Sequence, residues 1–322
     1  GFEALATQNA GTGATYNTAV GSSAGAALTT GLENTFIGGE AGDALTDADF
    51  NVAVGRNALG ADTLGSRSTA IGFQALNTQN FTTATESNNT AVGANAGLAV
   101  TTAIQNVLLA SRAGESITTG SFNVAVGHLA GAHSVDLTTG TRNTLLGSYV
   151  HTSAADSNNQ IVMGHDVTGN GDNSLTFGTS DTDSAIAFGA TSITAPSDER
   201  YKEDIADATA GLSFIKDLRP VTFKWKKQKD VPSGHRAYVE DSNDRVMKSQ
   251  GETNHGFIAQ EVKAAIDAHS EIKNGFDMWS ADPTDGRQRL GSAALIPMLV
   301  KAIQEQNALI VALTARIATL EG

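Results

Sequence analysis

The sequence predicts a parallel β-solenoid in its N-terminal part, followed by an α+β domain that ends in a long coiled-coil helix. Three observations predict this fold class: a five-residue phrase recurs at nearly constant steps, the composition changes abruptly near residue 196, and apolar residues near the C-terminus alternate spacings of 3 and 4. We predict a repeat array over residues 1–150, a narrowing β stem over 151–196, and the α+β domain over 197–322, with its helix from about residue 293.

The charge distribution separates two kinds of polypeptide and excludes several functions. Residues 1–196 hold 4 Arg, no Lys and 15 acidic residues, whereas Lys202 is the first lysine and Pro196 the first proline. The net charge of −13 excludes a broad nucleic-acid surface, and no apolar run is long enough for membrane insertion. The chain has no cysteine, so disulfides do not hold it together. It opens at Gly1 within the pattern, which indicates a piece of a longer protein.

The repeat phrase reads N-[TV]-x-[VIL]-G, and its steps are 17, 17, 17, 21, 17, 17 and 20 residues. A short period with a few longer steps indicates a solenoid with loops inserted on one side. Each phrase predicts a short strand with two apolar faces, one towards the coil interior and one towards a neighbour. Small residues after the strand allow tight corners, so we expect about two short strands per coil. The fourth position is always aliphatic: Val20, Ile37, Val54, Ile71, Val92, Leu109, Val126 and Leu146.

This array resembles the left-handed β-roll heads of trimeric autotransporter adhesins and similar segments of phage tail fibres. The resemblance spans about Asn17 to Gly147 and rests on the repeated phrase. It implies a left-handed, trimeric β-roll. An outer face that carries alanine also favours side-by-side association of the solenoids.

From Ser197 the pattern changes to mixed helix and strand. The segment GLSFIKDLRPVTFKW predicts a short helix, a break at Pro220 and a strand, and HGFIAQEVKAAIDAH predicts a strand or turn that runs into a helix. A long helix is predicted after Pro297, and its apolar seam indicates an oligomer; the alternative is an amphipathic helix that lies on its own domain. The predicted seam consists of Leu299, Ile303, Gln306, Ile310, Leu313, Ile317 and Leu320.

Four motifs follow one another in the second part: SDERYKEDI, LRPVTFKW, HGFIAQEV and LIPMLVKAIQEQNALI. In this order they resemble the self-cleaving intramolecular chaperone domain of phage endosialidases, tail fibres and neck appendages. The resemblance covers Ser197 to the C-terminus and departs at RLGSAALIP, where an aromatic residue is expected near Gly291. It implies a homotrimer in which the seam is the trimerisation helix. It also implies cleavage of the Pro196–Ser197 bond, with Ser197 as the nucleophile and Lys202 as the base.

The chemistry of the residues at this border leaves two interpretations open. A serine hydroxyl needs a base, and a lysine can serve only where desolvation or nearby cations favour its neutral form. Asp198, Glu199, Glu203 and Asp204 would keep Lys202 charged in a monomer, so we hypothesise that trimer assembly buries and activates it. Taken alone, S-D-E-R favours an N-cap serine followed by acidic residues in the first helical turn, and the flanking motifs favour the nucleophile instead.

No cofactor and no metal site is predicted. The histidines of the array stand at spacings that suit no standard zinc motif, so we expect surface or hydrogen-bonded side chains at His128, His133, His151 and His165. Acidic residues fall mostly in turns, without the spacing of a calcium loop or a glycosidase pair: Glu33, Glu40, Asp43, Asp47 and Asp49.

Together, these features favour a fragment of a phage tail fibre or appendage, located in the virion, that attaches to a host surface receptor such as a glycan or a surface protein. We expect a homotrimer with no nucleic-acid partner, whose only chemistry is a single-turnover serine autoproteolysis. Two alternatives stay open. A bacterial trimeric surface adhesin would end in a membrane β-barrel, and a polysaccharide-degrading tailspike would need a carboxylate pair in a groove between subunits.

Overall fold

The computed structural model describes residues 1–9, 11, 13–180, 182–190, 192–194, 197–247, 253–274, 276–282 and 286–321, and only the backbone of Tyr201. The chain divides into two units, Gly1–Tyr201 and Lys202–Gly322. The strands of the first unit are β1 (Thr18–Val20), β2 (Thr35–Ile37), β3 (Val52–Val54), β4 (Gly65–Ser66), β5 (Thr69–Ile71), β6 (Thr85–Glu86), β7 (Thr90–Val92), β8 (Val107–Leu109), β9 (Val124–Val126), β10 (Ala132–His133), β11 (Val135–Asp136), β12 (Thr144–Leu146), β13 (Gln160–His165), β14 (Ser174–Thr179) and β15 (Thr182–Ala187).

Eleven of these strands form one sheet in the order β1-β2-β3-β5-β7-β8-β9-β12-β13-β14-β15. Consecutive phrases pair in register, so that Val20 lies beside Ile37 and Ile37 beside Val54. All pairs from β1 to β14 are parallel, whereas β15 runs antiparallel to β14 and ends the sheet. The predicted β-solenoid is therefore confirmed, although its last phrase turns back on the preceding one.

Each coil contributes one strand to this sheet, and the expectation of about two strands per coil is wrong. The second half of the coil is a series of turns, because residues such as Ser23 and Glu40 take φ values of 55° and 56° that interrupt a strand. Backbone groups there still bond from coil to coil: the N–H of Gly42 donates to the carbonyl of Ala58 at 2.9 Å. Extra strand pairs accompany the two longest steps: β10–β11 lies within the 20-residue step, and β6 of the 21-residue step pairs with β4 of the preceding coil.

The strand alternation decides what lies inside the solenoid. Third-position residues such as Phe36 and Leu108 are fully buried, whereas fourth-position residues such as Ile37 and Val92 stay partly exposed on the outer face. The glycine that follows most strands of the sheet, replaced by Ala110 after β8, allows the coils to stack closely. A Cβ on Gly38, whose φ is 138°, would lie 2.6 Å from the carbonyl carbon of Gly55.

The second unit is a small α+β domain with a long helix. Two antiparallel pairs, β16–β17 and β18–β19, accompany three helices, and a compact core forms around the fully buried Phe214 and Met278. This confirms the predicted α+β domain and its C-terminal helix, with Pro297 in the first turn, where it costs no hydrogen bond. The elements are α1 (Leu212–Asp217), β16 (Val221–Phe223), β17 (Asn254–Gly256), α2 (Ala259–Ala268), β18 (Trp279–Ala281), β19 (Gln288–Leu290) and α3 (Leu295–Glu321).

Candidate functional site

The predicted cleavage motif lies at the border between the two units. Ser197 belongs to the end of the first unit and Lys202 opens the second, and both side chains are exposed. Pro196, the residue before the predicted cut, lies outside the described residues. The roles assigned to Ser197 and Lys202 therefore stay predictions.

The interpretation of Ser197 as the N-cap of an α-helix is wrong. Only a single 3-10 turn, Glu199–Tyr201, follows it. The cap of this turn is Asp198, whose Oδ1 accepts the backbone N–H of Arg200 at 2.9 Å. The Arg200 guanidinium also donates to Asp198, at 2.6 Å, and this lowers the pKa of the Asp198 carboxyl.

The second and third motifs pack against each other. Strand β16 of LRPVTFKW pairs with β17 and places Val221 opposite Gly256 of HGFIAQEV. Arg219 donates through Nε to Glu261 Oε2 at 3.0 Å, and through its second nitrogen to the other carboxylate oxygen. This paired guanidinium lowers the pKa of Glu261. Two motifs that are separate in sequence are thus joined by a strand pair and by a charged hydrogen-bonded pair.

The fourth motif is the helix α3, and its N-terminal part is tied to α1. Glu305 Oε2 accepts the backbone N–H of Leu212 at 2.8 Å, and Lys301 Nζ lies 3.7 Å from the other Glu305 oxygen. Leu295 and Ala302 are buried on the same side of α3. The first turns of α3 therefore do lie on their own domain, as the amphipathic alternative expected.

The rest of α3 has no cover within the described chain. Every residue from Gln306 to Glu321 is exposed, and the predicted seam is exposed along its whole length. Exposed apolar surface of this extent is typical of a helix that packs against a partner. The exposed seam residues are Leu299, Ile303, Gln306, Ile310, Leu313, Ile317 and Leu320.

Three of the four histidines of the first unit lie around one tyrosine, and the fourth contacts one of the three, although the sequence interpretation treated them as separate. The Tyr149 ring centre lies 5.5 Å from that of His128, 4.8 Å from His133 and 5.6 Å from His165. His133 also lies 6.2 Å from His151, which is buried. Among the described residues, no group of three His, Cys, Asp or Glu side chains is arranged to hold a metal ion.

None of the described helices has the length and apolar content of a membrane span.

Sequence reasoning missed the role of the phrase asparagine. The side-chain oxygen of each such asparagine accepts the backbone N–H of the residue at the same position in the next coil, and its amide group donates to a carbonyl 14 or 17 residues ahead. These asparagines are buried, except for the half-buried Asn17. Asn106, for example, accepts from Asn123 at 2.9 Å and donates to Gly120 at 3.0 Å. The sequence carried a signal for this role. Asn recurs at the first position of the phrase, and a residue that only faces solvent is under no such constraint. The column consists of Asn17, Asn34, Asn51, Asn89, Asn106, Asn123 and Asn143, with Ser68 in place of one asparagine.

Comparison with known proteins gives one match. No curated protein and no solved structure is similar enough to be matched. One family model, described as chaperone of endosialidase, matches residues 197–271. The match begins at the serine of the first motif and ends in the turn after α2, so it includes the Arg219–Glu261 pair. Residues 197–271 thus match the chaperone of endosialidase family model, and with the β-solenoid before them they fit a tail fibre with a C-terminal chaperone domain.

Proposed function

We propose that this protein is a homotrimeric segment of a phage tail fibre that serves host attachment from the virion. Its C-terminal domain directs trimer folding and then releases itself by cleavage before Ser197. The observation that carries the proposal is the position of the family match, which begins at Ser197, where the solenoid ends and lysine and proline first enter the chain. The match favours the fibre over the bacterial surface adhesin.

In the proposed cleavage, Ser197 Oγ attacks the carbonyl carbon of Pro196. Lys202, in its neutral form, takes the hydroxyl proton and returns it to the nitrogen of Ser197, so that the peptide bond becomes an ester. Water then hydrolyses the ester, which leaves a carboxylate on Pro196 and restores the serine hydroxyl. Each chain turns over once. Lys202 is exposed in the single chain, and in the proposed mechanism assembly buries it.

The test of the catalytic assignment is to express the chain beside its Ser197→Ala and Lys202→Ala variants. We expect the parent to give two fragments that meet between Pro196 and Ser197 on a denaturing gel and by intact mass, and both variants to stay full length. Ser192→Ala, an exposed serine in the preceding stem, is the control and should cut like the parent. A parent that stays whole as a stable trimer would remove the proteolysis and leave the chaperone role.

The proposed trimer is tested by substitutions in the exposed C-terminal half of α3. Ile310→Asp puts a charge into the predicted seam, where assembly would bury it without a partner. We expect the variant to lose the trimer in light scattering and to lose cleavage with it. Ala315→Asp, equally exposed but on the opposite side of the helix, should leave both intact. A monomeric Ile310→Asp chain that cuts at the parental rate would contradict activation by assembly.

A further inference from the structure

A small cavity opens on the side of the solenoid beside its longest repeat step. Its volume is about 160 Å³, and its lining includes Asp49, Phe50, Ser66, Arg67, Thr85 and Glu86. The 21-residue step from Ser68 to Asn89 contains four residues more than the usual 17, and this extra chain, which includes Ala84 of the lining, lies directly before Thr85 and Glu86, the partners of Gly65 and Ser66 in the preceding coil. The cavity is thus a feature of one coil and not of the repeat.

Buried polar residues hold the inserted chain in place. Asp62 and Gln79 stand in the interior column that other coils fill with Leu28 and Leu45, and both are fully buried. Gln79 Nε2 donates to Asp62 Oδ2 at 2.5 Å, and Asp62 Oδ1 accepts the backbone N–H of Phe81 at 2.9 Å. Burying polar groups is costly unless they are hydrogen-bonded, so this network rigidly fixes where the insertion leaves the core.

The insertion is fixed at its other end as well. Ser87 Oγ donates to the carbonyl of Ser66 at 2.8 Å and lies 2.7 Å from Ser68 Oγ. Strand β6, which carries Thr85 and Glu86, pairs in parallel with β4. The cavity wall is therefore preformed, which lowers the entropy cost of binding a ligand.

The lining combines an aromatic ring with polar groups that face solvent. The Arg67 guanidinium lies over the Phe50 ring, 5.1 Å from its centre, and its Nε is 3.1 Å from Glu86 Oε1. Phe50 is 44% exposed, and the side chains of Arg67 and Glu86 are 48% and 67% exposed. Within the described residues, the terminal amino groups of Arg67 make no hydrogen bond. Asp49 is oriented by the N–H of Leu32, which donates to its Oδ1 at 2.7 Å.

The charges of the lining and the volume of the cavity indicate which class of ligand it can bind. Two carboxylates against one guanidinium disfavour an anion, and the 160 Å³ volume is well below the roughly 300–1,000 Å³ of pockets for larger ligands. An apolar ring beside carboxylate, guanidinium and hydroxyl groups suits a ligand with an apolar C–H face and several hydroxyls. We propose that this cavity binds one pyranose unit of a neutral polysaccharide without cleaving it. The inference rests on the proposed role in host attachment and supplies a receptor class for it.

The experiment is saturation-transfer NMR on the full chain with four probes: methyl glucopyranoside, methyl galactopyranoside, methyl mannopyranoside and N-acetylglucosamine. Each is used at about 10 mM, because a single sugar ring is expected to bind with a Kd on the order of 1 mM. We expect saturation transfer to at least one probe, and an affinity about tenfold lower in Arg67→Ala. Arg142→Ala is the matched control, since Arg142 lies over the Phe122 ring in the same way, at 5.8 Å, farther along the array.

Each outcome decides the inference. Absence of saturation transfer to all four probes overturns it, as does an unchanged signal in Arg67→Ala, or hydrolysis of a methyl glycopyranoside to the free sugar in the same spectra. Should Arg67→Ala fail to fold, Glu86→Gln keeps the shape of an exposed side chain and should still weaken binding about threefold or more. The trimer and cleavage assays do not involve this cavity. If those assays fail, the proposed function fails with them, whereas if only sugar binding fails, attachment by another surface remains.

Discussion

The two units of this chain bury their residues in different ways. The solenoid core contains 26 buried hydrophobic residues, 13 of which are alanine, stacked in columns that each involve only the neighbouring coils. The C-terminal core contains eight, gathered from all three helices and the loops between them. The solenoid therefore owes its stability to repetition and close backbone approach. The C-terminal unit depends on a few large side chains, and it leaves most of α3 without cover.

The largest expected effect tests the close approach of coils. Gly38→Ala places a methyl group 2.6 Å from the Gly55 backbone at a φ of 138°, so we expect it to lower the free energy of unfolding by about 3–5 kcal/mol. Gly39→Ala is the matched control, because its nearest neighbour would be 4.0 Å from the new atom and no positive φ is involved.

Far-UV circular dichroism reports on both units, because α1, α2 and α3 lie in the C-terminal one, so the solenoid is followed by the circular-dichroism transition that fluorescence does not show. Tryptophan fluorescence follows only the C-terminal unit, since the two tryptophans are Trp225 and Trp279. We expect Gly38→Ala to lower the midpoint of the solenoid transition and to leave the fluorescence midpoint unchanged. Equal stability of the two glycine variants would mean that coil spacing is not what requires glycine.

A smaller loss is expected in the asparagine column. Asn106→Ala leaves the N–H of Asn123 and the carbonyl of Gly120 without partners inside the core, which we expect to cost about 2–4 kcal/mol. Asn17→Ala, in the first coil of the column, is only half-buried, and water can replace its contacts. Chemical denaturation of both variants should give the smaller loss for Asn17. Losses of the same size would contradict the role of burial.

The repeat phrase was sufficient to predict the solenoid. Its period indicates which residues stack from coil to coil, and the alternation of side chains along each strand indicates which residues face inward. The phrase could not predict Asp62 and Gln79, since a polar residue at a core position is recognised only once the column is known. Nor could it predict the convergence on Tyr149, because the β10–β11 hairpin that carries His133 is an insertion outside the period. The predicted roles of Ser197 and Lys202 depend on an assembled trimer, which a single chain cannot show.

The smallest expected effects are pH dependences of opposite sign in the two units. His151 is buried, with Nδ1 3.4 Å from the carbonyl of Thr152 and Nε2 3.3 Å from the Thr168 hydroxyl. Burial lowers its pKa, the neighbouring His133 adds to this, and Asp166 opposes it. Its contribution to stability is therefore present above the unfolded-state pKa of about 6.5 and is lost as the pH falls through the lower folded value.

His269 is the opposite case. It is 12% exposed and lies between two carboxylates, with Nε2 2.8 Å from Asp217 and Nδ1 3.1 Å from Glu271. These partners, Asp217 first, raise its pKa. Its contribution is complete below about pH 6.5 and is lost as the pH rises through the higher folded value.

Thermal unfolding between about pH 5 and pH 8 separates the two histidines, because fluorescence reports on the C-terminal unit and the circular-dichroism transition that fluorescence does not show belongs to the solenoid. Measured by fluorescence, the advantage of the parent over His269→Gln should shrink as the pH rises. Measured by circular dichroism, the advantage of the parent over His151→Gln should shrink as the pH falls. If both differences changed with pH in the same direction, burial in the solenoid and ion pairing in the C-terminal unit would not be the forces that set these two pKa values.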